Sequence, residues 1–311
     1  MNIVITGGSG FVGSYLCEKL INDGHEIIVV DNLLTGSTEN INHLMHNENF
    51  SFIEHDVQNH IEIEDKVDYV LHFASAASPK AYTEHPVNTL KAGSVGTINT
   101  LGLAKKHDAE YLLASTSEVY GDPLISPQTE EYWGNVNPNG ERSMYDEAKR
   151  FAEAAVATYS RSYDLKTKIV RIFNTYGPRM QLNDGRVVTN FIVQALKNEN
   201  ITIYGDGSQT RSFSYVEDTV AGIISLMNSS EYDVFNIGNP NEMTVGQLAE
   251  KIIELTDSTS EIKYLELPND DPKQRKPDIT KAKTKLNWEP KVNLEDGLTK
   301  TIKWVEGQLS K

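Results

Sequence analysis

Short runs of β-branched and other apolar residues recur along the first half of the chain, separated by longer stretches with helical periodicity. The apolar runs predict strands at 3–6, 26–31, 50–55, 67–74, 110–116 and 168–174. The main helical stretches between them are 11–22, 87–107 and 143–163. Apolar strands that alternate with helices are typical of a parallel sheet covered on both faces. The pattern therefore predicts an α/β fold built on a Rossmann-type, doubly wound parallel sheet.

Beyond Gly177 the alternation becomes less regular. Loops rich in Gly and Asn follow, with a helical stretch at 188–197, a strand at 201–204 and a charged C-terminal region of predicted helices. We interpret this part as a smaller α/β domain, which divides the chain into 1–175 and 176–311. The strand-like run 234–237 is expected to return to the first sheet, within a stretch near 212–240.

Charge and composition narrow the classes of partner. The 311 residues include 29 Lys and Arg against 44 Asp and Glu, a formal net charge of −15. Such a field repels nucleic acid and anionic lipid, so we expect neither partner. Cys17 is the single cysteine of the sequence, which excludes a disulfide within the chain. No signal-peptide pattern and no apolar run near the roughly 20 residues of a membrane span are present, so we expect a cytoplasmic protein.

Three glycines follow the first predicted strand and open the first predicted helix: Gly7, Gly10 and Gly13, in a GxxGxxG pattern. Such glycines allow a tight turn, close approach of the backbone to a pyrophosphate and close helix–sheet packing, while the helix N-terminus offers N–H groups to the phosphates. Asp31, at the end of the second strand, is placed to bind the adenosine ribose and to repel a 2′-phosphate. The combination predicts NAD as cofactor; a tight turn with Asp31 capping the next loop is the alternative.

Tyr145 and Lys149 are spaced i, i+4 on the predicted helix 143–163 and so share one face. A phenol is a weak base at neutral pH, but a nearby ammonium and a positive nicotinamide ring both favour the phenolate. Tyr145 can then remove a hydroxyl proton while hydride leaves the same carbon. Thr116 ends the strand 110–116, at the edge where ligands of open parallel sheets bind. This context favours a catalytic pair over a surface pair.

Four further segments carry a longer signature: ASTSEVYGDP at 114–123, NTYGPRM at 174–180, NDGRVV at 183–188 and DDPKQRKPD at 270–278. Together with the glycine loop and the Tyr–Lys pair, they resemble the extended short-chain dehydrogenases/reductases that act on nucleotide sugars. The resemblance covers nearly the whole chain and is strongest to the decarboxylating members of that family.

The resemblance implies an enzyme that decarboxylates UDP-glucuronate to UDP-xylose, with NAD as a recycled cofactor and no metal. Tyr145 would deprotonate the sugar 4-hydroxyl while NAD takes hydride from C4, which gives a 4-keto sugar that is a β-keto acid. CO₂ then leaves easily, because the ketone accepts the electron pair as an enolate. Protonation at C5 and hydride return to C4 would complete the product. The eight histidines, all between His25 and His107, lack metal-ligand spacing.

Residues 116–118 help to distinguish decarboxylation from the related removal of water. The similar nucleotide-sugar 4,6-dehydratases carry Asp-Glu after the Thr, as acid and base for removing water, whereas Ser117 stands at that Asp position here. The resemblance implies that Thr116 binds the 4-hydroxyl and that Ser117 and Glu118 face C5 and C6. An NAD-dependent 4,6-dehydratase and a non-enzymatic NAD-sensing protein are the alternative functions.

Further site residues come from the same resemblance. Arg275 is expected to bind the substrate carboxylate, since a guanidinium offers two parallel donors. The other substrate-binding residues would be Lys91, Asn99, Lys106, Asn174, Arg186, Tyr204 and Arg211. The NAD-binding positions, besides the glycines, Asp31, Tyr145 and Lys149, would be Phe11, Val12, Asn32, Thr35, Gly36, Asp56, Val57, Phe73, Ser75, Ala114 and Thr175. Helices 87–107 and 143–163 resemble those that pair in family dimers, which implies a homodimer.

Overall fold

The computed structural model describes residues 1–266 and 274–310. In chain order the strands are β1 (Asn2–Thr6), β2 (Glu26–Asp31), β3 (Phe50–Glu54), β4 (Tyr69–His72), β5 (Glu110–Thr116), β6 (Thr167–Ile172), β7 (Thr175–Tyr176), β8 (Ile201–Tyr204), β9 (Thr210–Ser212), β10 (Ser214–Tyr215), β11 (Val234–Ile237), β12 (Glu242–Thr244), β13 (Ile262–Leu265) and β14 (Gln274–Arg275). The α-helices are α1 (Phe11–Asn22), α2 (Pro79–Glu84), α3 (Pro86–Lys91), α4 (Thr97–His107), α5 (Ser143–Tyr163), α6 (Val187–Leu196), α7 (Val216–Met227), α8 (Val245–Leu255), α9 (Thr280–Leu286) and α10 (Leu294–Leu309).

A large parallel sheet forms the centre of the described part of the chain, in the order β11-β6-β5-β4-β1-β2-β3. Its two faces bury separate cores because successive side chains of a strand point to opposite sides. Ile3 and Ile5 pack on one face with Leu16 of α1. Val4 packs on the other face with Leu101 of α4. Helices on both faces confirm the doubly wound sheet predicted from the apolar runs.

The predicted bounds of several elements agree with the structure and others are wrong by a few residues. The strand predicted at 67–74 is β4, which begins later and ends earlier. Just beyond it the Ala74 N–H leaves the ladder and donates to the Thr6 hydroxyl at 3.3 Å. The strand predicted at 168–174 is β6, which begins and ends earlier. The sequence analysis did not identify α2, a two-turn helix capped by Ser78.

The single helix predicted at 87–107 is instead a series of helical segments. Pro86 begins α3, as expected for a residue that lacks an N–H and is preset for the first helical position. A π-helical turn at Ala92–Gly96 then joins α3 to α4. The combined segment packs along α5. The periodicity of the sequence predicted a helix here but did not predict the π-helical turn within it.

The remaining strands form smaller sheets: β10-β7, β12-β9-β14 and β13-β8. The strand predicted at 234–237 is β11, which pairs with β6 at the edge of the large sheet. The division into 1–175 and 176–311 stays a prediction. Part of the DDPKQRKPD signature, 270–273, lies outside the described residues. In the described ranges no helix is long and apolar enough to cross a membrane.

The turn between β1 and α1 requires glycine at 13. A Cβ on Gly13 would lie 2.2 Å from the Gly7 carbonyl oxygen and 2.8 Å from Gly8 Cα, both of which are backbone atoms. We expect Gly13→Ala to lower the free energy of unfolding by about 1–3 kcal/mol, as other overpacking changes do. Urea unfolding measures the change.

Gly307→Ala is the matched control. Gly307 lies in α10, and outside that helix no described heavy atom comes within 4 Å of the added Cβ. Alanine has the higher helix propensity, so this variant should gain less than about 1 kcal/mol. Equal destabilisation by the two substitutions would contradict the packing argument.

Candidate active site

A cavity of about 1150 Å³ opens at the carboxyl edge of the large sheet. The strand register brings Thr6 level with Val30 on one side and with His72 on the other. The chain order of the sheet reverses between β1 and β4, and ligands of open parallel sheets bind at such a point. The C-terminal part of the chain closes the other side of the cavity with residues that include Arg211, Arg275 and Trp304.

The glycine loop forms one end of this cavity. Gly7 has a left-handed φ of +74°, and a Cβ there would lie 2.7 Å from the backbone of Phe73 and Ala74. Helix α1 begins after Gly10 without a side-chain cap, so its first N–H groups are available to a ligand. The loop therefore has the tight backbone path that a diphosphate requires.

Asp31 lies beside the loop, at the end of β2. Its carboxylate accepts the Ser9 N–H at 3.1 Å and the Leu33 N–H at 2.9 Å. A Cβ on Gly36 would come within 2.2 Å of the Ser9 hydroxyl and 3.1 Å of Asp31 Oδ2, so the loop fits closely over this carboxylate. The position suits an acceptor for ribose hydroxyls.

The other positions expected to bind NAD also line the cavity. They are Phe11, Val12, Gly13, Asn32, Thr35, Gly36, Asp56, Val57, Phe73, Ser75, Ala114, Tyr145, Lys149 and Thr175. The Asn32 amide donates to Asp56 at 3.0 Å, which ties the loop after β2 to the loop after β3.

Tyr145 and Lys149 are both buried in the first turns of α5 and face the cavity together. Burial raises the pKa of Tyr145, although a hydrogen bond from Thr116 lowers it in part. Lys149 Nζ lies 5.9 Å from the centre of the Tyr145 ring and donates to the Ala114 carbonyl oxygen at 2.8 Å. Burial lowers the pKa of this lysine to about 8. In the protein alone, burial therefore has a larger effect on the pKa of Tyr145 than Lys149 has. A further positive charge nearby is needed to stabilise the phenolate.

Glu118 is held between Arg142 and Arg275. One carboxylate oxygen pairs with Arg142, which immediately precedes α5, and the other pairs with Arg275 of β14. Burial raises the pKa of Glu118, but the guanidinium groups of Arg275 and Arg142 outweigh it and hold the pKa below its usual value. Glu118 is therefore a buried carboxylate that stays ionised.

Arg275 keeps a donor available to a ligand. Its Nη2 donates to the Gly121 carbonyl oxygen at 3.0 Å, while its buried Nε has no hydrogen-bond partner among the described residues. A buried donor without a partner is costly, and a bound acceptor removes that cost. The sequence analysis predicts that Arg275 binds the substrate carboxylate. In the structure Arg275 contacts Glu118, which lies 157 positions earlier in the chain.

Among the remaining substrate candidates, Asn174, Arg186, Tyr204 and Arg211 line the cavity. Lys91, Asn99 and Lys106 are not in its lining, which corrects the expectation that they contact the substrate. The Asn99 amide instead donates to the carbonyl oxygens of Val57 and Asn59, and Lys106 pairs with Glu62 on the surface. Chain position alone did not reveal these partners of Asn99 and Lys106.

The sequence analysis missed Tyr82, Arg142 and Asp146. The Tyr82 ring stacks on that of Tyr145, with centroids 5.3 Å apart. Asp146 is buried, and Arg142 Nε lies 3.9 Å from its Oδ2. Because Arg142 and Asp146 flank Tyr145 in sequence, their proximity to it was a usable signal. Tyr82 lies in α2, for which the N-cap residue Ser78 followed by Pro79 was a usable signal.

A family model described as GDP-mannose 4,6 dehydratase matches residues 4–301. UDP-glucuronic acid decarboxylase 1 of Xenopus tropicalis is 53% identical over 307 residues, which cover 99% of this chain and 72% of that protein. The chain belongs to the UDP-glucuronic acid decarboxylase family. UDP-glucuronic acid decarboxylase 3 of Arabidopsis thaliana is 54% identical over 299 residues, which cover 96% of this chain and 87% of that protein.

A solved structure shows which ligands this fold accepts in a relative of the decarboxylase family. The UDP-glucuronic acid 4-epimerase of Bacillus cereus, in complex with UDP-glucuronic acid and NAD, has a TM-score of 0.88 and 26% identity, and the match covers 99% of this chain and 100% of that one. The resemblance to extended nucleotide-sugar enzymes is thus confirmed at the level of family and fold.

Asp146 makes the stability of the protein depend on pH. Burial first, and then the charge of Glu118, raise its pKa to about 7, and its buried Oδ1 has no hydrogen-bond partner among the described residues. A carboxyl whose pKa is raised on folding stabilises the fold below its unfolded pKa, and that contribution is lost as the pH rises toward 7. Asp146→Asn removes the ionisation.

We therefore expect the stability of Asp146→Asn, relative to the unchanged protein, to increase between pH 5 and pH 8 by about 1–3 kcal/mol. Urea unfolding of both proteins at the two pH values gives the difference. A difference that does not change with pH would show that Asp146 ionises normally.

Proposed function

We propose that this protein converts UDP-glucuronate to UDP-xylose and CO₂, with NAD as a cofactor that ends each cycle oxidised. The observation that carries the proposal is Arg275, a buried guanidinium with an unpartnered donor in the same cavity as Thr116, Glu118 and Tyr145. The Arg275 guanidinium can bind the sugar carboxylate, which distinguishes UDP-glucuronate from nucleotide sugars whose sugar is uncharged. Membership of the decarboxylase family supports the same reaction.

The cavity fits NAD. The backbone at Gly7 and Gly13 leaves no room for a side chain, the N-terminus of α1 is uncapped, and Asp31 is positioned for a ribose. The B. cereus epimerase, which was solved with NAD, has the same fold. When bound, NAD accepts hydride from C4 of the sugar and returns it after CO₂ has left.

Tyr145 takes the proton of the 4-hydroxyl in this proposal, with Thr116 as hydrogen-bonding neighbour. Because burial raises its pKa, the phenolate depends on cations around the ring, including Lys149 and Arg186. Lys149 is anchored by the Ala114 carbonyl oxygen, which holds its ammonium group on the Tyr145 side of α5. The same phenol can return the proton to the 4-oxygen at the end of the cycle.

Loss of CO₂ needs a site that tolerates a carboxylate and then a developing enolate. Arg275 binds the carboxylate of the 4-keto intermediate in our assignment. The C5–C6 bond breaks, its electron pair moves into the C4–C5 bond, and the charge collects on the 4-oxygen beside Tyr145 and Thr116. Glu118, ionised between its guanidinium groups, orients a water that relays a proton from solvent to C5, so that the water is left neutral. Ser117, buried in the cavity wall, contacts the sugar without acting as an acid.

Incubation with UDP-glucuronate and NAD, followed by mass analysis of the nucleotide sugar, tests the reaction. We expect a mass loss of one CO₂ and no accumulation of NADH. Tyr145→Phe should lower kcat by about 10²- to 10⁴-fold, because the acid–base group is removed. Tyr163→Phe, an exposed position at the other end of α5, is the matched control and should retain activity.

The other outcomes identify the alternatives. Loss of water without loss of CO₂ would establish a 4,6-dehydratase. NADH accumulating with a 4-keto pentose would contradict internal hydride return. NAD binding with no change in any nucleotide sugar would indicate a sensing protein.

We further propose that the protein is a homodimer that pairs through α3, α4 and α5. Apolar residues lie exposed along these helices: Val87, Leu90, Val95, Ile98 and Phe151. The intervals of three, five and three positions from Val87 to Ile98 fit a single stripe, because the π-helical turn at Ala92–Gly96 lengthens the middle interval. A contiguous exposed apolar stripe is typical of a protein–protein interface. A second copy offers the same stripe in a two-fold arrangement.

Light scattering at micromolar protein concentration tests the dimer. We expect twice the mass of the 34.7 kDa chain for the unchanged protein. Phe151→Glu should shift it toward the monomer, since a charge in an apolar contact is costly. Leu124→Glu, an exposed apolar position outside these helices, is the control and should remain dimeric. A monomeric unchanged protein would end this proposal.

A further inference from the structure

Glu118 has two guanidinium partners, which come from different parts of the fold. Its Oε1 pairs with Nη1 of Arg275, and its Oε2 pairs with Nη2 of Arg142. The three side chains are largely buried. The single negative charge of Glu118 is therefore paired with two positive charges.

The second partner matters once substrate binds, and here the inference rests on the proposed function. Arg275 has its Nη1 on Glu118, its Nη2 on the Gly121 carbonyl oxygen and its Nε facing no described acceptor. A substrate carboxylate that binds this guanidinium shares its single positive charge with Glu118, so Arg275 then neutralises Glu118 less completely. A buried carboxylate that loses its cation takes up a proton instead.

We propose that Arg142 is a positioning residue that keeps Glu118 ionised and directed into the cavity while Arg275 binds the substrate carboxylate. Arg142 reaches Glu118 from the start of α5, so its contact does not depend on the position of β14. It also lies near Asp146, with Nε 3.9 Å from Oδ2, and so screens the repulsion between the two carboxyls. Arg142 thus acts on the substrate through Glu118.

Several other charged or titratable groups interact electrostatically with Glu118. Those on α2, α5 and the strands β9 and β14 are Tyr82, Arg142, Tyr145, Asp146, Arg211 and Arg275. In the protein alone, burial raises the pKa of both tyrosines. Asp146 adds negative charge as the pH rises, which makes a cation beside both carboxyls more important.

Steady-state kinetics between pH 4.5 and pH 9 test the role of Arg142. Arg142→Met should raise the pH of the acidic half-activity point by about one unit or more, because Glu118 loses a close counter-charge. On the acidic limb, below the half-activity point, we expect kcat to fall roughly 10-fold while KM changes less than about 3-fold, since the lost contact is not a substrate contact. Arg142→Lys, which keeps the charge, should return the acidic limb to the wild-type position.

Arg150→Met is the matched control. Arg150 lies on the same helix and donates to the carbonyl oxygens of Val119 and Trp133, but it is not in the cavity lining. Loss of the Arg150 hydrogen bonds should lower thermal stability without shifting the acidic limb of the pH–activity profile. If Arg142→Met does not fold, Arg142→Gln carries the same expectation for the pH profile.

The outcomes separate this inference from the proposed function. An unchanged protein that releases no CO₂ overturns the proposed function. An active unchanged protein, with Arg142→Met showing the wild-type acidic limb, overturns only the role of Arg142. A rise in KM with kcat preserved would make Arg142 a substrate-binding residue and would equally contradict the proposal.

Discussion

The ion pair between Glu118 and Arg275 is the interaction on which the site depends. A buried charge without a partner is costly, and the Glu118 carboxylate, in the turn after β5, is a buried partner for the guanidinium of β14. The pair joins the large sheet to the C-terminal part of the chain across 157 positions. By doing so it closes the cavity on the side where the sugar carboxylate is expected. The closure of the cavity and the proposed chemistry therefore share one contact.

The opposite side of the cavity is built from backbone rather than from charge. Gly7 and Gly13 allow the β1–α1 turn to pack against its neighbours with no room for a Cβ. Parallel strands end at the same edge, so the register of β1 with β2 and β4 sets Asp31 beside this turn. The glycine turn and the charged end of the cavity, which we propose bind the cofactor phosphates and the sugar, thus meet at the point where the strand order reverses.

The electrostatics of the site differ from those of the whole protein. The chain carries a net charge of −15, yet Arg186, Arg211 and Arg275 all line the cavity. In the proposed reaction these local cations recognise a polyanionic substrate, while the net charge bears on solubility and on the repulsion of other polyanions. Desolvation acts on every group in this space: it raises the pKa of Tyr145 and lowers that of Lys149. In the proposed reaction, a bound positive charge near the Tyr145 ring would lower the pKa of this phenol again.

The sequence by itself determined the features whose information is local. The alternation of apolar runs and helices, the glycine turn after β1, and the Tyr145–Lys149 spacing on α5 all follow from short-range periodicity and backbone sterics. Only the tertiary structure showed which of the expected polar side chains line the cavity. Lys91, Asn99 and Lys106 are not in its lining. The structure also brings Arg142 to Glu118 and Asp146. The reason is physical: the direction of a side chain and the partner of a buried charge depend on elements distant in the chain, and residue spacing carries no record of them.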